Sequence, residues 1–470
     1  MVLSRAFRVR PGGATRFVVA PLLAALVWPA RAQDCSVKSL GLVPLDDLRE
    51  GDYLGLEGGL FPGRSNEVPA DHLKAGRNLA KRIVPLDRHG HPASDGVIGF
   101  AAVGMSLTGQ VFGTFEHLAR GDAEIAPDVA FANLAAAVQD LLKIRDPAAP
   151  FWTESIPALL EAEQLTAAQI QVVWMLNGTP TQSESFPRHV ETTAGYWIEV
   201  LQIVQQTFPN AKLAFLTPLY WQGYSLIAPE EEPYYYEQAW SIREVIARQL
   251  AHDPEVEWDG ERGPAKVPWL SWGPYLFCDG EEPRSDGLLL TCADFSPDGG
   301  HLGDGGEQKL GARLLHFVKS HRACTPWSIV RGSSPAERMA DVERIGEGTP
   351  GSRGIPRLCG DALPTIPHPA PYSLLVRSSV PRGRGLVLLG DTLLPGGGVP
   401  FAGGTLRVDA DAVLAVTFDR DGNGVLPLDE IPDDPALWGL SIYAQLAALD
   451  RRGLDGQWAL SAAIELRLGD

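Results

Sequence analysis

From about residue 97 the chain alternates short apolar runs with longer amphipathic stretches, and this alternation restricts its fold more than any other feature. VIGFAAV (97–103), DVAFAN (128–133), QVVWML (171–176) and KLAFLTPL (212–219) are strand-like, with VPWLSW (267–272) as a weaker fifth. Helix-like segments lie between and after them, near 109–119, 153–166, 187–207, 233–251 and 304–321. Strand and helix at this spacing predict an α/β domain, a mostly parallel sheet with helices on both faces. In such sheets the chemistry gathers in loops beyond the carboxyl ends of the strands.

The two ends of the chain read differently. Arg5, Arg8, Arg10 and Arg16 precede the apolar run FVVAPLLAALVW, which ends in Ala30-Arg31-Ala32. That order predicts a signal peptide over 1–32 and an exported protein: periplasmic, secreted or on the cell surface. The run is shorter than the roughly 20 residues needed to span a bilayer, and no later stretch is apolar enough. The α/β domain is expected over 33–324. Proline and glycine then become frequent, so 325–345 reads as a linker. From 346 to 470, short strand-like runs separated by turn residues predict a small all-β sandwich.

Three places in the α/β region carry candidate chemistry. In DFSPDGGHLGDGGEQ (294–308), Asp298 and His301 lie three apart, and Gly299 and Gly300 argue against a helix through them, so the pair belongs to a loop. Asp304 followed by Glu307 predicts a capping box opening the last helix. Ser106 follows FAAVG, at a strand's carboxyl end and before a helix, where a hydroxyl is well placed to attack a carbonyl. Asn177 closes the third strand in WMLNGTP, where its amide can donate to a developing oxyanion. Taken singly, each has a plainer explanation: a glycine-rich turn, a helix cap and an Asx turn.

Serine after the first strand, asparagine after the third, and DxxH before the last helix, in that order, resemble the SGNH (GDSL-like) hydrolases over about residues 36–321. The likeness is nearest to secreted bacterial SGNH-like proteins of unassigned substrate, through GLVPLDDL, YLGLEGGLFPGRSNEVPADH, GMS, SWGPYLFCDG, PRSDGL and DFSPDGGHLGDGGEQKL. The resemblance implies a flavodoxin-like three-layer fold and a serine ester hydrolase that requires no cofactor. Ser106 would be the nucleophile, His301 the base and then acid, and Asp298 the carboxylate that orients the imidazole. Ser106 N–H and Asn177 would belong to the oxyanion hole. The family takes a further N–H from a glycine in its second block; here that block is NLAAAVQD, and Ala135 is the expected substitute. The rival expectation is a catalytically silent SGNH-like protein that binds a glycan or a surface.

The expected partner is a small-molecule or carbohydrate ester. The net charge of −18 becomes −23 once residues 1–32, with five arginines and no acid, are removed. An acidic chain of this kind argues against nucleic acid. Aromatics crowd 220–277, as in YYYEQAW and WLSWGPYLF, and offer either stacking faces to a sugar or packing for a core. Cys35, Cys278, Cys292, Cys324 and Cys359 permit disulfides, with one thiol left over, and their spacing selects no pairing. In the tail, DRDGNGVLPLDE (419–430) fits an EF-hand calcium loop: Asp419, Asp421 and Asn423 as side-chain ligands, Gly424 at the turn, the Val425 carbonyl and Glu430. Its flanks are a strand and prolines rather than helices, so an Asp/Asn/Gly turn is the alternative to bound calcium.

Overall fold

The computed structural model describes residues 33–469 except 37–38, 50, 181–183, 226–230, 281, 334–337, 367, 369–370 and 429–430. The expected signal peptide and Glu430 therefore lie outside the described residues. Among those described, no helix is long and apolar enough to cross a membrane.

Five parallel strands form the first sheet: β1 (Ile98–Gly104), β2 (Val129–Ala135), β3 (Ile170–Leu176), β4 (Leu213–Thr217) and β5 (Trp269–Trp272), in the order β2-β1-β3-β4-β5. β1, β3, β4 and β5 are buried at every residue. Their continuous apolar runs are what a parallel strand covered on both faces requires. β2, at an edge, is only partly buried. Before the sheet comes α1 (Ala70–Ala80), which the alternation did not announce. Further helices are α2 (Ser106–Gly121), α3 (Ile156–Ala162), α4 (Arg188–Thr207), α5 (Ala239–Leu250), α6 (Asp304–Ser320) and α7 (Thr325–Ser328), with other short ones at Leu45–Leu48, Leu141–Ile144 and Glu231–Glu237.

α2 and α6 pack together, as do α4 and α5. On the face covered by α2 and α6, Phe112 of α2 meets Phe100 at 5.4 Å and Trp174 at 6.2 Å, and Phe317 of α6 meets Phe215 at 5.2 Å. Phe100, Phe112, Trp174 and Phe215, fully buried, each contribute roughly 1.5–3 kcal/mol, and the partly buried Phe317 less. These contacts set the two helices side by side, with both amino termini at the carboxyl ends of the strands.

The second fold is a β-sandwich. Its larger antiparallel sheet runs β10-β9-β12-β13-β6, from β6 (Asp341–Ile345), β9 (Arg384–Gly390), β10 (Ala412–Thr417), β12 (Ser441–Leu449) and β13 (Trp458–Arg467). Its smaller sheet runs β11-β8-β7, from β7 (Arg357–Gly360), β8 (Ser373–Arg377) and β11 (Gly424–Pro427). Leu374 and Val376 from the smaller sheet share one core with Val387, Leu446 and Ile464 from the larger.

The stretch 325–345 is not a plain linker. α7 occupies its start, where Trp327 is buried against Phe100 at 5.4 Å, and β6 occupies its end as an edge strand beside β13. Pro326 stands in the first turn of α7, where a proline needs no N–H. The aromatic segment takes the second of its two readings. Tyr220, Trp221, Tyr224, Tyr236, Trp240, Trp269 and Phe277 are at most 2% exposed, so they pack the core and present no face to a sugar.

Among the cysteines, Cys35 pairs with Cys292, while Cys278, Cys324 and Cys359 are buried free thiols. Three thiols therefore remain, where one was expected. In the tail, Asp419 Oδ1 accepts the N–H groups of Asp421 and Asn423 at 2.8 and 2.9 Å, and Val425 stands in β11 opposite Leu375. The EF-hand-like loop is thus a tight turn between β10 and β11. Among the described residues, no three His, Cys, Asp or Glu side chains are grouped to hold a metal.

Candidate active site

Ser106 is the first residue of α2. Met105 before it is extended, and Gly104 ends β1. Gly104 must be glycine: a Cβ there would lie 2.4 Å from Thr108 Oγ1, and φ is +155°. The strand therefore turns sharply into the helix and leaves Ser106 at its mouth. The first N–H groups of a helix have no carbonyl behind them, so those of α2 face the space in front of Ser106.

His301 and Asp298 lie in the loop that enters α6. Gly299 allows the loop to close, with φ at +72° and the site of a Cβ only 2.2 Å from Tyr224 O. His301 Nε2 is 2.9 Å from Ser106 Oγ, and His301 Nδ1 is 2.7 Å from Asp298 Oδ2. The other carboxylate oxygen, Asp298 Oδ1, accepts from Ser296 Oγ at 2.7 Å, His301 N at 2.9 Å and Gly300 N at 3.0 Å. Burial opposes the charge on Asp298, but the bonds from Ser296, the His301 and Gly300 N–H groups and the ring outweigh it and hold the carboxyl at about 2. The side chains of His301 and Asp298 are 44% and 34% exposed, which leaves the arrangement open to an arriving molecule.

The expected capping box is absent. Gly303 is the N-cap and Asp304 is the first helical residue. Glu307 instead reaches across to α2 and accepts from Gln110 Nε2 at 2.7 Å.

Asn177 follows β3 and is 1% exposed. Its Oδ1 accepts from Gly178 N at 2.8 Å, and its Nδ2 donates to Gln139 O at 3.1 Å. These two bonds fix the amide's orientation and leave one Nδ2 proton uncommitted by them. Ala135 is less well placed than the second-block comparison led one to expect. Its N–H is directed at Asn133 Oδ1 at 3.4 Å, and the next N–H, from Ala136, is given to Gly104 O at 3.0 Å.

Composition and spacing did not single out Gln110 or Gln238. Gln110 lies one helical turn beyond Ser106, with its Oε1 accepting from Leu302 N at 3.2 Å and its Nε2 donating to Leu302 O at 3.0 Å. Gln238 makes the same pair of bonds to Thr179, at 2.7 and 3.1 Å. The i, i+4 relation of Ser106 and Gln110 was available as a signal; for Gln238 there was none.

A groove of about 380 Å³ runs between α2 and α6, lined by Gly109, Gln110, Gly113, Thr114, His117 and Glu307, among others. A separate cleft of about 900 Å³ lies between the two folds, and its lining includes none of Ser106, Asn177, Asp298 and His301.

No protein-family model matches this chain, and no curated protein matches it. Among solved structures, the chain is similar to a proposed acylhydrolase from Bacteroides fragilis, at 11% identity and a TM-score of 0.28, over 53% of this chain and 96% of that one.

Proposed function

We propose that the protein is an exported serine ester hydrolase of the SGNH type. The observation that carries this is the unbroken relay from Ser106 Oγ through His301 to Asp298, at 2.9 and 2.7 Å. In that relay His301 Nε2 takes the Ser106 proton as Oγ bonds to the ester carbonyl carbon. The oxyanion so formed is met by the Ser106 N–H and the second Nδ2 proton of Asn177. Collapse breaks the bond to the alcohol oxygen, which leaves with the proton from His301. Water, deprotonated by the same ring, then frees the acid and restores Ser106. Asp298 stays ionised and holds the imidazole in the tautomer that accepts at Nε2.

The groove one helical turn beyond the serine supports a hydroxyl-bearing alcohol such as a carbohydrate, because Thr114 and His117 offer donors and acceptors along it; its lining, like that of the larger cleft, does not include Ser106. Export is supported by the Cys35–Cys292 disulfide, a bond that persists in oxidising compartments. The placement of the Ala135 N–H favours the second reading, a silent binding protein.

Labelling of the purified protein by a fluorophosphonate, beside Ser106→Ala and His301→Ala, separates the two. Labelling of the parent and of neither variant supports the hydrolase. A folded parent that stays unlabelled, while a known serine hydrolase labels alongside it, rejects the hydrolase.

A further inference from the structure

Two loops carry the remaining site residues: one brings His301 to Ser106, and the other carries Asn177, next to Leu176, whose carbonyl accepts from Thr108 of α2; neither is regular secondary structure. Loops of this kind fluctuate unless something fixes their main chain. In each, one glutamine holds both polar main-chain atoms of a single residue. Gln110 brackets Leu302, the residue after His301, and its second Nε2 proton goes to Glu307. Gln238, 2% exposed, brackets Thr179, two residues after Asn177. Gly178 makes room for the second bracket, since a Cβ there would stand 2.3 Å from Gln238 Oε1.

We infer that Gln110 and Gln238 are paired positioning residues, Gln110 setting His301 against Ser106 and Gln238 setting the Asn177 amide against the oxyanion. This rests on the hydrolase reading and deepens it. A bidentate amide restrains a peptide unit in translation and in rotation. Gln110 does this from the helix that bears Ser106, so any shift of α2 carries the histidine loop with it. Gln238 acts from the turn before α5, on the opposite side of the sheet. The nucleophile–base distance and the oxyanion donor are therefore set from two separate layers. Displacements near 1 Å at such groups cost up to about a hundredfold in rate.

A third glutamine supplies the control. Gln249 is 1% exposed and also bonds main chain with both ends of its amide in the second layer, but across three residues, accepting from Leu270 N and donating to Val256 O and Pro268 O. It touches neither loop. Gln110→Met, Gln238→Met and Gln249→Met are compared in the full mature chain by melting temperature, by fluorophosphonate labelling rate against pH, and by the downfield proton signal of His301 Nδ1–H, assigned by its loss in His301→Ala. Gln110→Met is expected to slow labelling about tenfold or more, to move its pH midpoint and to broaden the His301 signal. Gln238→Met is expected to slow labelling by a similar factor with the midpoint and signal unchanged. Gln249→Met lowers the melting temperature alone.

If Gln110→Met and Gln238→Met behave as Gln249→Met does, the two glutamines are merely structural and the inference is overturned. If the folded parent does not label, the hydrolase reading fails and takes the Gln238 half with it. The His301 signal then still decides the Gln110 half: its loss in Gln110→Met supports the bracket, and its persistence overturns it.

Discussion

The imidazole of His301 stands 2.7 Å from the carboxylate of Asp298, three residues earlier in the same loop. Because the opposite oxygen of that carboxylate accepts three further bonds, the acid and the ring form one rigid piece. Asp298→Asn keeps the shape and removes the charge. It is expected to lower the labelling rate by about 10³-fold or more, with near-parental folding by circular dichroism.

The same carboxyl makes a prediction about pH. Its value falls from the ordinary 3.8 to about 2 in the folded protein, so its charge stabilises the fold fully above pH 4 and loses that effect as pH falls through 2. The gap in melting temperature between parent and Asp298→Asn should be constant from pH 5 to 7 and should narrow between about pH 4 and 2. A gap that narrows near pH 6 would assign it to another group.

Gly299→Ala tests the loop's backbone. The added carbon would fall 2.2 Å from Tyr224 O, at a φ of +72° that alanine adopts with strain. The expected cost is about 1–3 kcal/mol in urea unfolding, with labelling reduced in the fraction that remains folded.

Asp286 anchors α6 from below. Its Oδ2 accepts from Arg284 Nη2 at 2.7 Å and from Arg313 Nη1, on α6, at 2.5 Å; the acid and Arg284 are each 10% exposed in their side chains. Asp286→Ala leaves Arg313 without this carboxylate and Arg284 with Asp46 alone, at 3.2 Å. Destabilisation of about 3–5 kcal/mol is expected in urea unfolding.

Cys35→Ser removes the disulfide and is expected to cost about 2–5 kcal/mol in thermal or urea unfolding. Gln33 N donates to Pro297 O at 2.9 Å and Gln33 Nε2 to Cys292 O at 3.1 Å, so the strap borders the residue before Asp298. Reduction should therefore slow fluorophosphonate labelling as well as lower the melting temperature. Equal labelling with and without reductant would separate the strap from the site.

Much of the architecture was legible because a parallel strand covered on both faces has to be written as an unbroken apolar run, as in β1 and β3. Ser106 and Asn177 were legible for a related reason: they follow those runs directly. Asp298 and His301 stood out through the glycines between them. The rest depended on distance in space. The Gln110 and Gln238 brackets close only after separate elements meet, and nothing about an isolated glutamine foretells its partner. Proline and glycine around 325–345 suggested a break in structure, whereas Trp327 had already committed the start of that stretch to the core. The aromatics of 220–277 were ambiguous in kind, because a ring that stacks on a sugar and a ring that packs against Phe295 have the same spelling.

The disulfide joins residues 257 positions apart, one near the expected start of the mature chain and one just before the histidine loop. A polypeptide emerging amino terminus first presents Cys35 early and Cys292 only after all five parallel strands have appeared. The bond therefore cannot close on a product truncated before Cys292. A chain released early would hold Ser106 beside an empty place and carry Cys35 as a lone thiol, a chemical mark of an unfinished molecule.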